Sequence, residues 1–151
     1  MKWDYEFDVV VIGSGNGALT SALCCHDGGA KTLVIEKSTQ FGGTSATSGG
    51  GVWIPNNRYA KAENVDDCDE DARNYINSVS PEGKIKDELV ETYLSEGPKM
   101  IDYLHEYSQV KYRNLAHYPD YFPDNPGGKA GNRSMEPEPI KGTELGDDLG
   151  K

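Results

Sequence analysis

The chain has 151 residues, a formal net charge of -10 and 36% hydrophobic residues, a balance near the border of disorder that excludes a nucleic-acid partner, because phosphate binding needs clustered Lys and Arg. No apolar run approaches the ~18 residues of a membrane span, and Met1-Lys2-Trp3-Asp4-Tyr5-Glu6 lacks the basic start and apolar stretch of a signal peptide, so no transmembrane segment and a cytoplasmic location are expected. Three cysteines, two of them adjacent at Cys24 and Cys25, provide neither a disulfide framework nor a metal site and read as reduced, partly buried thiols.

Phe7 to Ile12 is a nearly continuous β-branched apolar run, which suits a strand buried on both faces, as in a parallel sheet. Gly13-Ser14-Gly15-Asn16-Gly17-Ala18 stops it and opens a helix over Ala18 to His26, which Asp27-Gly28-Gly29 closes with glycine's left-handed freedom. Thr32-Leu33-Val34-Ile35 is a second strand ending at Glu36, so the segment is a βαβ unit. In G-x-G-x-x-G/A, Gly13 allows the tight turn, Gly15 lets a pyrophosphate approach the backbone, and the small Ala18 lets helix and strand pack closely. The helix N-terminus then faces the phosphates, and Glu36, 21 residues after Gly15, can accept hydrogen bonds from a ribose. This fingerprint alone does not separate NAD from FAD.

The stretch Phe41 to Asn57 follows, with five glycines and four hydroxyl residues in seventeen positions. A flexible linker would share that composition, but linkers rarely carry Trp53-Ile54-Pro55. A second glycine-rich loop with interspersed hydroxyls suits a larger dinucleotide, whose flat ring system lies against exposed backbone amides.

From Arg58 to His117 the sequence reads as helical. Six acids in the nine residues Glu63 to Asp71 precede an apolar pattern at Ala72, Tyr75, Ile76 and Val79, as at a helix start; a calcium loop would need a glycine and a spaced Glu that are missing. Leu89, Val90, Tyr93 and Leu94 mark a second helix. Met100, Ile101, Tyr103, Leu104 and Tyr107 mark a third, with Gly97-Pro98 as the break or kink between them. Tyr118 to Lys151 holds five of the eight prolines, a composition that favours an extended or disordered segment, although Tyr118-Pro119-Asp120-Tyr121-Phe122-Pro123 is too aromatic for a plain linker.

FDVVVIGSGNGALTSAL, LVIEK and FGGTSATSGGGVWIPNN together resemble the N-terminus of the flavin-dependent 3-ketosteroid delta-1-dehydrogenases, within the wider fumarate reductase and succinate dehydrogenase flavoprotein group. Met100 to Leu104, the Pro119-Asp120-Tyr121 motif and the run Pro126 to Pro137 extend the resemblance over nearly all of the chain. It implies FAD as cofactor, a steroid or related hydrophobic ketone as small-molecule substrate, an external electron acceptor, and dehydrogenation at C1–C2 with hydride transfer to flavin. By it, Gly13, Ser14, Gly15, Gly17 and Ala18 would cradle the pyrophosphate and Glu36 would hold the adenosine ribose. Lys37, Gly43, Thr44, Ser45, Ser48, Gly49 and Gly50 would run along the flavin half. Tyr121 would support a catalytic base by hydrogen bonding, while the base, the carbonyl-polarising tyrosine and the last FAD motif would come from sequence beyond residue 151. Another enzyme of the group, acting on a different CH–CH substrate, or a non-catalytic fragment are the alternatives.

The implied fold class is α/β: a Rossmann-like βαβ unit followed by helices and a Pro/Gly-rich loop region, an incomplete doubly wound domain. Its expected parts are an FAD-binding unit with its flavin loop over 1–57, a helical part over 58–117 and an active-site loop segment over 118–151. Leu, Ile, Val and Phe number 13 in positions 1–54, 11 in 55–117 and 4 in 118–151. A domain of ~150 residues buries ~70% of its unfolded surface, which so depleted a tail cannot do unaided. The expectation is therefore a part of a larger domain, inactive by itself and weak in binding FAD.

Overall fold

The β-branched run Val9–Ile12 forms strand β1 in the structure, a computed structural model that describes residues 3–82 and 84–148. Helix α1 spans Asn16–Asp27 and strand β2 Thr32–Ile35. β1 and β2 pair in parallel with Val9 opposite Thr32 and Ile12 opposite Ile35, and α1 packs against both. The helix ends as glycine allows: Gly28 N–H bonds Cys24 O and Ala30 N–H bonds Cys25 O, while Gly29, not Gly28, takes the positive φ of 86°. With Gly43–Thr47 as a 3-10 turn, these elements belong to one compact unit, Met1–Gly50.

Burial in this unit departs from the expectation of strands covered on both faces. Val10 and Ile35 are half exposed and Ile12 is 82% exposed. The reason is that a two-stranded sheet with one helix covers one face only, and apolar continuity in the sequence does not reveal whether a second layer is there to cover the other. Cys24 is likewise exposed, as is Cys68, and only Cys25 is partly buried.

The second unit, Gly51–Lys151, contains strand β3 (Val52–Trp53), helices α2 (Arg58–Ala62), α3 (Asp69–Val79) and α4 (Asp87–Tyr107), strands β4 (Tyr112–Asn114) and β5 (Ser134–Pro137), and a 3-10 segment Gly142–Asp148. β5 lies between β3 and β4, antiparallel to each. Ile54, Ile101, Leu104, Tyr112 and Met135 form the main core; Ala72, Val90 and Leu94 form a second cluster under Trp53 and Ile76. No helix among the described residues is long and apolar enough to cross a membrane. Met1 and Lys2 of the N-terminal reading and residues 149–151 of the last segment lie outside the described residues.

Two expectations change here. The two helices expected on either side of Gly97-Pro98 are one, α4, with Pro98 inside it. Proline disfavours helical backbone in the residue before it through contact with that residue's Cβ, and Gly97 has none. The same missing Cβ admits Ile54: a methyl group on Gly97 would stand 3.2 Å from Ile54 Cδ1. The buried face Val90, Leu94, Gly97, Ile101, Leu104 therefore runs unbroken through the proline.

The segment after Tyr118, extended or disordered by composition, is ordered through Pro137 and supplies β5 together with the buried Arg133 and Met135. Its order rests on hydrogen bonds and close backbone approach rather than on aliphatic side chains. Asn132 N–H bonds Leu115 O and Asp120 N–H bonds Lys129 O, and an added Cβ at Gly131 would lie 2.0 Å from Ala116 O.

Asn57 ties these parts together. Fully buried, it caps α2 by accepting from Tyr59 and Ala60 N–H and donates through Nδ2 to Ile54 O and Asn132 O. Asn57→Ala removes a cap and strands buried carbonyls, so urea unfolding of the variant should show a loss of about 2–4 kcal/mol; a loss below ~1 kcal/mol would mean that water replaces the amide.

Candidate functional site

The turn between β1 and α1 is shaped by glycine where the backbone requires it. Gly13 has φ 94° and its N–H bonds Ile35 O at 2.7 Å, which fixes the loop to the end of β2. Gly15 is the N-cap of α1 and offers no side-chain cap; no acid stands in the first turn. The N–H groups there lack the partner that Ser, Thr, Asp or Asn would supply, and the positive end of the helix dipole lies with them. A Cβ added at Gly13 or Gly17 would meet nothing within 4 Å, so that side of the turn is open, and Ala18 is half-buried in the first turn.

The second glycine loop folds against the first. Ser14, 3% exposed, donates its hydroxyl proton to Glu36 Oε2 at 2.6 Å and accepts Gly42 N–H at 2.8 Å. Asn16 N–H donates to Ser45 Oγ at 3.1 Å. A Cβ on Gly43 would stand 3.4 Å from Gly15 Cα, so both loops approach as bare backbone. Thr44 lies in the 3-10 turn, and Ser48 closes it, donating to Ser45 O and accepting Gly50 N–H. Gly49 and Lys37 are exposed and Gly50 has φ 70°. Of the thirteen residues expected to bind the dinucleotide, side-chain hydrogen bonds join Ser14 to Glu36, Ser48 to Ser45 and Gly50 to Ser48; Gly13, Gly17 and Ala18 contribute backbone shape.

Glu36 is held by both carboxylate oxygens, Oε2 by Ser14 and Oε1 by Ser38 N–H at 3.0 Å. The Ser14 hydroxyl chiefly, and the Ser38 amide after it, keep its carboxyl below the ordinary carboxylate range. A carboxylate has about four acceptor positions, so two hydroxyls of a ribose can still be accommodated. Because the folded value is depressed, the bond network contributes fully above the ordinary range and is lost as pH falls through the folded value. NMR titration of the Glu36 carboxyl should show that depression and its upward return in Ser14→Ala; an unchanged titration would mean that Ser14 does not hold the carboxylate.

In the second unit, Tyr121 is 83% exposed at the start of a loop closed on itself. Asn125 N–H bonds Phe122 O and Gly128 N–H bonds Asn125 O, and Phe122 N–H donates to Tyr75 Oη. Beside Tyr121 the chain buries Asp120. Its Oδ1 accepts Trp53 Nε1–H at 2.6 Å, and its Oδ2 accepts Arg133 Nη1–H at 2.9 Å and Lys129 N–H at 3.0 Å.

Arg133 is 1% exposed. Its guanidinium donates to Asp67 through Nη2 at 2.7 Å and Nε at 3.1 Å, to Asp120, and to Gly127 O at 2.8 Å, and lies over the rings of Trp53 and Tyr75. Burial opposes its charge more than any other single effect, yet the bonds to Asp67 and Asp120 together outweigh it and raise its pKa above the ordinary arginine value. Sequence reading singled out neither Arg133 nor Asp120 as a functional position. The one available signal was Asp120's place inside the Pro119-Asp120-Tyr121 motif. Asp67, read as part of an acidic helix start, precedes α3 and serves Arg133 and the Asn56 N–H instead.

Residues 8–151 match the family described as FAD binding domain. The chain is 42% identical over 144 residues to a 3-oxosteroid 1-dehydrogenase of Mycolicibacterium smegmatis, covering 95% of this chain and 25% of that protein. It is 39% identical over 132 residues to a 4-oxocyclohexanecarboxylate 2-dehydrogenase of Sinomonas cyclohexanicum, covering 87% of this chain and 23% of that one. Among solved structures it resembles the 3-ketosteroid delta1-dehydrogenase of Sterolibacterium denitrificans in complex with 1,4-androstadiene-3,17-dione, with TM-score 0.88, 39% identity, and coverage of 95% of this chain and 25% of that one. The chain thus spans about a quarter of the length of these relatives.

Proposed function

The chain belongs to the FAD-binding domain family, and from that membership we propose that it is the N-terminal, cofactor-binding part of a cytoplasmic flavin-dependent dehydrogenase that introduces a C1–C2 double bond into a 3-ketosteroid. The observation that carries the reading is the meeting of two glycine loops at an uncapped helix N-terminus, held by Ser14 between Glu36 and Gly42. The open backbone at Gly13 and Gly17 and the spare acceptor positions of Glu36 suit FAD. We assign 1–57 to the cofactor unit with its flavin loop, 58–117 to the helical part and 118–151 to the active-site loop.

When bound, FAD supplies the hydride acceptor. Gly13, Ser14, Gly15, Gly17 and Ala18 receive the pyrophosphate at the α1 N-terminus, where backbone N–H groups and the dipole meet negative charge. Glu36 accepts from the ribose hydroxyls. Lys37, Gly43, Thr44, Ser45, Ser48, Gly49 and Gly50 line the flavin half. Removing a proton beside a ketone requires a polarised carbonyl and a base whose proton affinity is set by its neighbours; Tyr121, its phenol exposed on a closed loop, is the group in this chain that supports such a base. Electrons leave to an external acceptor.

The test compares the chain alone with a fusion completed by the remaining three-quarters of the Mycolicibacterium smegmatis relative. The chain alone should retain no stoichiometric yellow flavin and reduce no dye with androstenedione, and the fusion should do both. A colourless, inactive fusion that folds would refute the reading. The Sinomonas relative, which its name assigns to an oxo-cyclohexane carboxylate, favours one second reading, a monocyclic ring ketone as substrate; activity of the fusion on that class without activity on androstenedione would select it.

A further inference from the structure

We infer that Asp120 is a positioning residue for Tyr121, and that Arg133 and Trp53 hold it in that task; the inference rests on the proposed role of Tyr121. The two residues flanking Tyr121 are both anchored while Tyr121 itself projects into solvent. On one side Asp120 is fixed by four bonds: its N–H to Lys129 O, and its carboxylate to Trp53 Nε1, Arg133 Nη1 and Lys129 N–H, with Arg133 in turn held by Asp67. On the other, Phe122 N–H is bound to Tyr75 Oη.

The Asp120 and Lys129 backbones and the Asp120 carboxylate form a double clamp at the neck of the loop. Lys129 is pinned again by its ammonium on Asp71 at 2.7 Å. A phenol that must hold a hydrogen bond to a catalytic base has to stay within a few tenths of an ångström of its place, and precision of that kind comes from surrounding groups whose own positions are locked. Here the lock is charged, buried and independent of the phenol. Asp120 does not touch reacting atoms; it acts through the backbone it shares with Tyr121.

The experiment uses the full 151-residue chain with 3-fluorotyrosine placed at position 121 alone, and in a second sample at Tyr107, which is exposed at the end of α4 against Tyr103. In Asp120→Asn the 19F resonance at 121 is expected to shift and broaden, and chymotryptic cleavage after Tyr121 to accelerate about tenfold, as loss of a charge-assisted bond raises the open population of the loop. The resonance at 107 is expected to stay in place, which a general loss of structure would not allow. Should Asp120→Asn fail to fold, Trp53→Phe removes the indole donor and part of the ring packed on Tyr75 and Tyr93 while keeping both charges of the Asp120–Arg133 pair, and should move the 121 resonance in the same direction by less. An unchanged 121 resonance in the folded variant overturns the positioning role. Failure of the underlying reading is separate: Tyr121→Phe with undiminished dehydrogenation in the active fusion would remove the phenol's role while leaving the 19F result standing.

Discussion

Replacing Arg133 with methionine is expected to destabilise the second unit by about 3–5 kcal/mol, measured by urea unfolding followed through Trp53 in a Trp3→Phe background. Methionine fills a comparable volume, so the loss does not come from a void. It comes from Asp67 and Asp120, both carboxylates nearly inaccessible, which would be left without the fork that neutralises them. Arg133→Lys keeps the charge and loses the geometry, since one ammonium cannot serve two carboxylates and the Gly127 carbonyl with the same directions; an intermediate loss is expected. Adding Asp67→Asn and Asp120→Asn to Arg133→Met should return at least ~1 kcal/mol, because the desolvated charges leave together. A single-variant loss below ~1 kcal/mol would show that water reaches the carboxylates and that the network is not buried in solution.

The second large effect is expected at Gly127. Its φ is 75°, and a Cβ there would lie 2.0 Å from Asp71 O and 2.9 Å from Tyr75 N, contacts with helix backbone that no side-chain rotation relieves. Gly127→Ala should cost about 4 kcal/mol, near the upper end for single substitutions, because the loop must leave α3 and the Gly127 carbonyl must leave Arg133. Gly146 provides the comparison: its φ is 55° and its ψ -126° but nothing lies within 4 Å, so Gly146→Ala pays only for a backbone that disfavours any Cβ, about 1–3 kcal/mol. Equal losses at the two positions would mean that conformation alone, and not contact with α3, makes Gly127 necessary.

What could be read from the sequence is what depends on neighbours in the chain. Gly13 at a positive φ, a strand before it, a helix after it and Glu36 at the end of the next strand are all requirements of a local turn, and the residues meet them in order. Ser45 bridging to Asn16 and Ser14 bridging to Gly42 were readable only as a second loop of the right composition. Arg133 was read only as part of the run Pro126 to Pro137, and its role was not readable. Its partner Asp67 stands 66 positions earlier, and nothing adjacent to either distinguishes them from surface charges. Pro98 misled for a related reason: whether a proline breaks a helix depends on the residue before it and on what packs there, and Ile54 against Gly97 is a tertiary fact. The exposed Ile12 belongs to the same class, since apolar continuity describes a strand and not its surroundings.

The double clamp at Asp120 and Lys129 also separates two kinds of selection. The bonds that close the loop belong to its neck and to the helix and indole beneath it, while the side chains of Tyr121 and Phe122, just past the neck, are largely exposed and contribute little to folding. Exposed side chains of the loop can therefore be exchanged at small energetic cost, so long as the glycines and the neck are kept. A lineage carrying this loop can vary its exposed side chains without first acquiring compensating mutations in its core.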